Sequence, residues 1–329
     1  MKTPKPLPVA LSRAPFTLET ARSLGITGGR VRAADLSVPS RGIRVPKDVP
    51  VELLDHCRVL TQITPGGIIS HITAAKIYNF HLPRRFDAQS AIDIARLAGQ
   101  DLPRRRNVKG HELHLGPQDV QNYAFPITSM LRTLLDIAPL LTVDELVIIM
   151  DQLVCEHHRS FGRHVYPRVA LDSLKDHIVQ HPGNRGVRKL RAAVDLARIG
   201  SDSPRETMLR LIIERSTLPR FEHNVEILDS LGRGKVSPDL ACKQYRTCAE
   251  YDGLHHFTAS QQVKDHDRDF ITKSLGWHQV LINADDMRAG EQLVIAKLAR
   301  ALKLGGWPDP ENLANRSLHG LLPARKDFS

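Results

Sequence analysis

Leu18, Ala21 and Leu24 recur at helical spacing behind Thr17, a residue suited to cap the turn that follows. PFTLETARSLGITGGRVRAADL therefore predicts a helix, a turn at Gly25 and a second helix ending near Leu36. VPSRGIRVP then predicts a short hairpin with Arg41 and Arg44 at its tip. Helix, turn, helix and basic hairpin is the layout of a winged helix-turn-helix. Further on, VELLDHCRVLTQI and GGIISHITAAKIYNF repeat apolar residues as amphipathic helices do. LPRRFDAQSAIDIARLAG and HELHLGPQDVQNYAFPIT are strand-rich, and SMLRTLLDIAPLLTVDELVIIMDQLV predicts helices around a break at Pro139.

Past a basic stretch, QHPGNRGVRKLRAAVDLARIG, the rhythm changes again. It predicts a helix over 204–216, strands over 221–229, 236–242 and 246–252, a helix over 259–275, a strand over 277–283 and a helix over 290–304. Gly232 and Gly234 mark the first hairpin turn, and Gly276 closes the helix before WHQVLIN. The fold class is α/β and multidomain: a winged-helix region at 12–48, a small α/β region at 49–175, a basic linker helix at 176–200, a mixed sheet flanked by helices at 201–305, and a tail at 306–329.

Composition narrows the setting. A chain of 329 residues has room for two or three domains. No stretch approaches the ~20 apolar residues of a membrane helix, and MKTPKPLPVALSRAPF lacks the apolar core of a signal peptide. Cys57, Cys155, Cys242 and Cys248 have no C-x-x-C spacing and read as buried thiols of a reducing compartment, so the expected location is cytoplasmic, with no membrane partner. The net charge of +10 favours a polyanion such as DNA. Residues 1–50 hold nine Lys/Arg against three Asp/Glu, and LPRRFD and LPRRRNVKG add basic clusters. Arg30 and Arg32 on the second helix, with Arg41 and Arg44 on the hairpin, are the candidate DNA contacts; solvated arginines on a small helical scaffold are the competing reading. His71, His111, His114, His157 and His158 form no catalytic constellation by spacing.

The chemistry concentrates in PDLACKQYRTCAEYDGLHH, residues 238–256. If strands 236–242 and 246–252 pair through a tight turn near Gln244-Tyr245, opposed positions sum to 489 and Asp239 faces Glu250. Their Cβ atoms would then stand about 5 Å apart, with Asp252 on the same face as Glu250. Carboxylates this close repel unless a hard divalent cation such as Mg²⁺ or Mn²⁺ joins them. A solvent-facing acidic strand is the alternative. SDSPRET places Ser203 at an N-cap and Glu206 three residues later, a capping box that accounts for Glu206 without catalysis; the other reading aims Glu206 at the acidic end of the sheet. Gln261, Asp265 and Arg268 share one face of the next helix, either bordering the site or as an Asp265–Arg268 surface ion pair.

Two families are resembled. ISHITAAKIYNFHLP followed by FPITSMLRTLLDIA is similar to AbiEi-type antitoxin and transcriptional-regulator proteins, in which a winged helix precedes a small α/β domain. Their Val-Thr-Ser-x-x-Arg-Thr-x-x-Asp turn is matched here by Ile127, Thr128, Ser129, Arg132, Thr133 and Asp136. SPRETMLR, SPDLACKQYRTCAEYDGLHH and QQVKDHDRDFITKSLGWHQVLI together resemble the Vsr-like branch of the PD-(D/E)XK restriction-endonuclease-like superfamily. That resemblance implies an acidic core of Glu206, Asp239 and Glu250, with Asp239 and Glu250 as metal ligands. Asp252 stands where many superfamily members carry a lysine, and His256 could orient or deprotonate the attacking water instead. Arg268 would hold a phosphate and Gln261 would support a ligand, with Asp265 beside them. The implied activity is metal-dependent hydrolysis of DNA phosphodiesters, in DNA repair or in defence against phage and mobile elements. The alternative is a DNA-binding regulator or antitoxin whose nuclease fold is inactive.

Overall fold

A computed structural model describes residues 4–158, 164–201, 203–252 and 268–316 of a mixed α/β chain. It forms two compact units: the residues up to Glu145 with Leu174–Arg191, and Leu146–Ser173 with the residues from Ala192 onward.

The first unit begins with α1 (Val9–Ser12), β1 (Phe16–Thr17), α2 (Leu18–Ser23), β2 (Leu36–Ser37) and β3 (Ile43–Pro46). The strands make an antiparallel sheet ordered β1-β3-β2. The Thr17 hydroxyl caps α2 by accepting the Thr20 N–H at 3.0 Å, and Gly25 turns the chain at φ 72°. The predicted second helix is instead a single 3-10 turn, Arg30–Arg32. Gly28 and Gly29 offer no helix-favouring side chain, and Arg30 closes onto Asp35 rather than continuing a helix.

Next come α3 (Leu53–Gln62), β4 (Ile68–Ile69), α4 (His71–Ile77), β5 (Ile92–Leu97), β6 (Val108–Leu113), β7 (Val120–Asn122), β8 (Pro126–Thr128) and α5 (Met130–Ile137). GGIISHITAAKIYNF, expected as one helix, divides into β4 and α4. Ile68 and Ile69 enter a five-stranded mixed sheet ordered β6-β5-β4-β8-β7, and Asp93 of β5 caps α4 by accepting the Thr73 N–H. Ser129 caps α5 as its sequence predicts, accepting the Arg132 N–H, and Arg132 bonds Asp136 one turn on at 2.9 Å. Pro139 lies in a 3-10 turn that separates α5 from α6 (Val143–Val154). After β9 (His157–His158) and β10 (His164–Val165) come α7 (Leu171–Gln180) and α8 (Val187–Leu196); the division between the units runs through α6, α7 and α8.

The rest of the second unit is α9 (Pro204–Arg215), β11 (Glu222–His223), β12 (Ile227–Leu228), β13 (Gly234–Val236), β14 (Leu240–Cys242), β15 (Thr247–Asp252), α10 (described over 268–274), β16 (His278–Asn283), α11 (Ala284–Ala289) and α12 (Glu291–Leu304). Its sheet has the order β11-β14-β15-β16, antiparallel up to β15 and parallel between β15 and β16. The single strands expected over 221–229 and 236–242 each divide: β12 and β13 leave the sheet as a hairpin turned at Gly232, and Pro238, which has no N–H to give to a ladder, stands between β13 and β14.

The two sheet faces bury different partners. Leu240, Cys242, Ala249, Val280 and Ile282 pack with α9 residues Leu209, Ile212 and Ile213 and with α12 residues Val294, Leu298 and Leu302. Ala241 and Cys248 pack on the other side with the β12–β13 hairpin and with Ile271, Leu275 and Trp277. Among the described residues, no helix is long and apolar enough to cross a membrane.

Candidate functional site

The β14–β15 ladder pairs Leu240 with Ala249, Ala241 with Cys248 and Cys242 with Thr247. Each pair sums to 489, the register expected from the sequence. Lys-Gln-Tyr-Arg manages the tight connection by coiling Lys243–Tyr245 into a 3-10 turn and placing Arg246 in the left-handed region at φ 43°. One step beyond the ladder, Asp239 comes opposite Glu250.

Strand alternation assigns the face. Glu250 shares a side with Cys248, and Asp239 with Ala241, so both carboxylates look toward α10. The Cys248 thiol lies on the same face; burial, then the nearby Glu250 and Asp239 charges, push it up to about 12. Asp239 is held from the neighbouring strand, its Oδ2 accepting the Tyr251 N–H at 2.8 Å. Arg268, at the start of the described part of α10, pairs with Glu250 at 2.9 Å and donates to the Ser237 carbonyl at 2.5 Å. Two carboxylates and one guanidinium thus meet where the β13–β14 connection passes β15.

The remaining predicted residues are placed as follows. Ser203 caps α9 by accepting the Glu206 N–H at 3.2 Å, half of the predicted capping box. Glu206 is half-buried, and α9 packs on the face opposite Asp239 and Glu250. Its first turn lies beside the end of β15, with the Arg205 guanidinium 6.0 Å from the Tyr251 ring centroid. Asp252 is exposed at the end of β15, and His256, Gln261 and Asp265 lie outside the described residues.

In the first unit, Arg30 grips Asp35 through both terminal nitrogens at 2.9 and 2.7 Å, and Arg44 donates to the carbonyls of Val31 and Ile43. These two arginines brace the N-terminal region, whereas Arg32 and Arg41 are exposed. Arg41 lines a cleft of about 820 Å³ together with Arg96, Arg104, Arg105 and Arg106. The hairpin and the LPRRRNVKG cluster, far apart in sequence, therefore share one basic groove. Such a groove can hold a phosphate backbone.

Spacing gave no sign of a buried polar group around Asp93. Its Oδ1 bonds Nε2 of His111 at 2.8 Å, the His111 ring stacks on His71 at 3.6 Å, and Nδ1 of His71 meets the Ser70 hydroxyl at 3.0 Å. These residues come from α4 and its cap, β5 and β6, so the group exists only once the sheet has formed. Burial, then the adjacent His111, lowers His71 to about 3. An unfolded histidine titrates near 6.5, so the neutral ring favours the folded state. That contribution is complete above about pH 6.5 and is lost as pH falls toward 3. Amide exchange protection at Ile69 and Ala74 should fall by a few kcal/mol between pH 6.5 and 4, on the order of one RT·ln10 step per unit. His71→Asn, which tolerates the left-handed φ of 48° at this position, should flatten that decline.

Comparison with family models, characterised proteins and solved structures returns no match for this chain.

Proposed function

We propose that the chain is a metal-dependent DNA endonuclease whose site is centred on Asp239 and Glu250. The observation that carries this reading is the facing of the two carboxylates across the β14–β15 register, with a guanidinium beside them. The mixed order of the sheet and the helices on its two faces agree with the restriction-endonuclease-like architecture that the Vsr-like resemblance implies. The winged and AbiEi-like regions would deliver DNA, supported by the basic groove of Arg41 and Arg104–Arg106.

The donor set fits Mg²⁺ or Mn²⁺, since both groups offer hard carboxylate oxygens. Such an ion would supply Lewis-acid stabilisation of the charge that develops on the phosphate. Asp239, steadied by the Tyr251 N–H, and Glu250 would hold it. Arg268, which neutralises Glu250 before substrate arrives, would turn to a phosphate oxygen. His256 remains the proposed partner of the attacking water, and Glu206 a flanking acid.

One observation favours the second reading, a regulator or antitoxin with an inactive nuclease fold: Glu250 is already ion-paired to Arg268, a stable arrangement without metal. The deciding experiment incubates the full chain with supercoiled, linear and nicked DNA in Mg²⁺ or Mn²⁺. The nuclease reading expects metal-dependent strand cleavage that Asp239→Ala abolishes. Tight DNA binding with no cleavage, or cleavage unchanged in Asp239→Ala, would rule it out.

A further inference from the structure

The first unit gathers a second set of ligand-bearing side chains, distinct from the carboxylate pair. His177, in the last turn of α7, and His181, just past its end, stand four residues apart, a spacing that brings their rings together with centroids 4.4 Å apart. The 3-10 turn Pro117–Asp119, just ahead of β7, brings Asp119 against them. Candidate ligand atoms from all three lie within 4.8 Å of one another, and among the described residues no other group of three or more does so.

We infer that Asp119, His177 and His181 form a binding site for a divalent ion of the zinc class. Each donor is prepared for that task. Nδ1 of His181 bonds the His177 carbonyl at 2.8 Å. A carbonyl only accepts, so Nδ1 carries the proton and Nε2 keeps its lone pair, the arrangement by which a backbone oxygen orients a metal-binding imidazole. Nε2 of His177 is buried with no hydrogen-bond partner, and a bound ion would relieve this unfavourable state. Asp119 is buried and fixed from behind, its Oδ2 accepting from the Gly116 N–H at 2.9 Å and from Arg132 Nη1 at 3.3 Å.

Arg132 does not cancel the site's charge, because it is also paired with Asp136 at 2.9 Å. Two imidazole nitrogens with one carboxylate select Zn²⁺, Co²⁺ or Ni²⁺ over Mg²⁺ and Ca²⁺. Bonds of about 2.0–2.2 Å require the donors to close somewhat from their present spread. The trio borders a cleft of about 590 Å³ that includes Gln118 and Gln180. An ion held by three protein groups would keep a coordination position for water or an anion on that side.

The test uses the full chain, stripped of metal by chelator. Zn²⁺ calorimetry and Co²⁺ visible absorption should both give a one-to-one site of micromolar affinity or tighter, with a spectrum of nitrogen and oxygen ligation. His177→Gln, His181→Gln and Asp119→Asn, each checked for fold by circular dichroism, should weaken binding by about 10-fold or more. Independently of any variant, one equivalent of Co²⁺ should broaden the ring-proton signals of His177 and His181 in the wild-type chain. Absence of a saturable site below 100 μM, variants that bind as wild type does, or unbroadened His177 and His181 signals would each overturn the assignment.

Discussion

Asp151→Ala should destabilise the second unit by about 3–5 kcal/mol, the cost of stranding a buried charge. Asp151 and Arg210 are both almost fully buried, their side chains 1% and 3% exposed, and they meet at 2.8 Å. Asp151 also accepts from the Arg198 N–H at 2.8 Å and the Thr207 hydroxyl at 3.0 Å. Burial raises the pKa of Asp151 against the pull of Arg210. Removing the carboxylate leaves the guanidinium with only the partly exposed Glu214 to answer it. Arg210→Met should cost less, because the orphaned Asp151 can take up a proton and keep its other two donors. The double variant should recover at least ~1 kcal/mol relative to the sum of the singles. Both tryptophans of the chain, Trp277 and Trp307, belong to this unit, so urea unfolding followed by their fluorescence reads it selectively. A double variant whose cost equals the sum would show that the two residues stabilise the unit separately.

The Asp151–Arg210 pair also marks where the sequence stops being readable. The partners are 59 residues apart, on helices α6 and α9 that are each buried around most of their circumference. Periodicity identifies a buried face, not what it is buried against, so the alliance of Leu146–Ser173 with the C-terminal part of the chain has no local signal. Local physics was far more legible. The caps at Thr17, Ser129 and Ser203 and the Arg132–Asp136 pair follow from side chains that act within one turn, whereas from α9 to α12 two expected strands divide, α11 was not expected, and most of the helix expected over 259–275 lies outside the described residues.

The same division holds for the sites. The Asp239–Glu250 register is a hairpin property, set by neighbours a few residues apart, and so it was legible. The role of Arg268 as partner to Glu250 needed the packing of α10 on the sheet. His177 and His181 do carry a local sign, the H-x-x-x-H spacing, but their third member arrives from Asp119, 58 positions before His177, and no period links them. The Arg30–Arg32 stretch shows the opposite failure. Its apparent helix was a matter of weak propensity, and a glycine pair with one ion pair was enough to replace it.

Glu250→Gln should reduce Mg²⁺-dependent cleavage by about 10²-fold or more, a loss typical of removing one electrostatic element from a catalytic centre. It should change Trp-monitored stability by only about 1 kcal/mol, because the neutral amide leaves no buried charge behind and Arg268, 40% exposed, keeps water and its bond to the Ser237 carbonyl. Arg268→Ala separates two roles for the same contact. Without the guanidinium, Glu250 loses the cation that competes with the metal and the repulsion between Asp239 and Glu250 grows, so the Mg²⁺ concentration for half-maximal activity should fall. Turnover at saturating Mg²⁺ should fall too, by about 10-fold or more, because the phosphate loses a charged donor. Opposite movement of metal affinity and turnover is the signature of an arginine that shares its carboxylate with metal and then binds substrate. If Arg268→Ala weakens only the fold, with Mg²⁺ dependence unaltered, the contact is structural and the acidic pair does not hold the ion. Titrating cleavage against Mg²⁺ for both variants, at fixed ionic strength to keep DNA binding constant, distinguishes the cases.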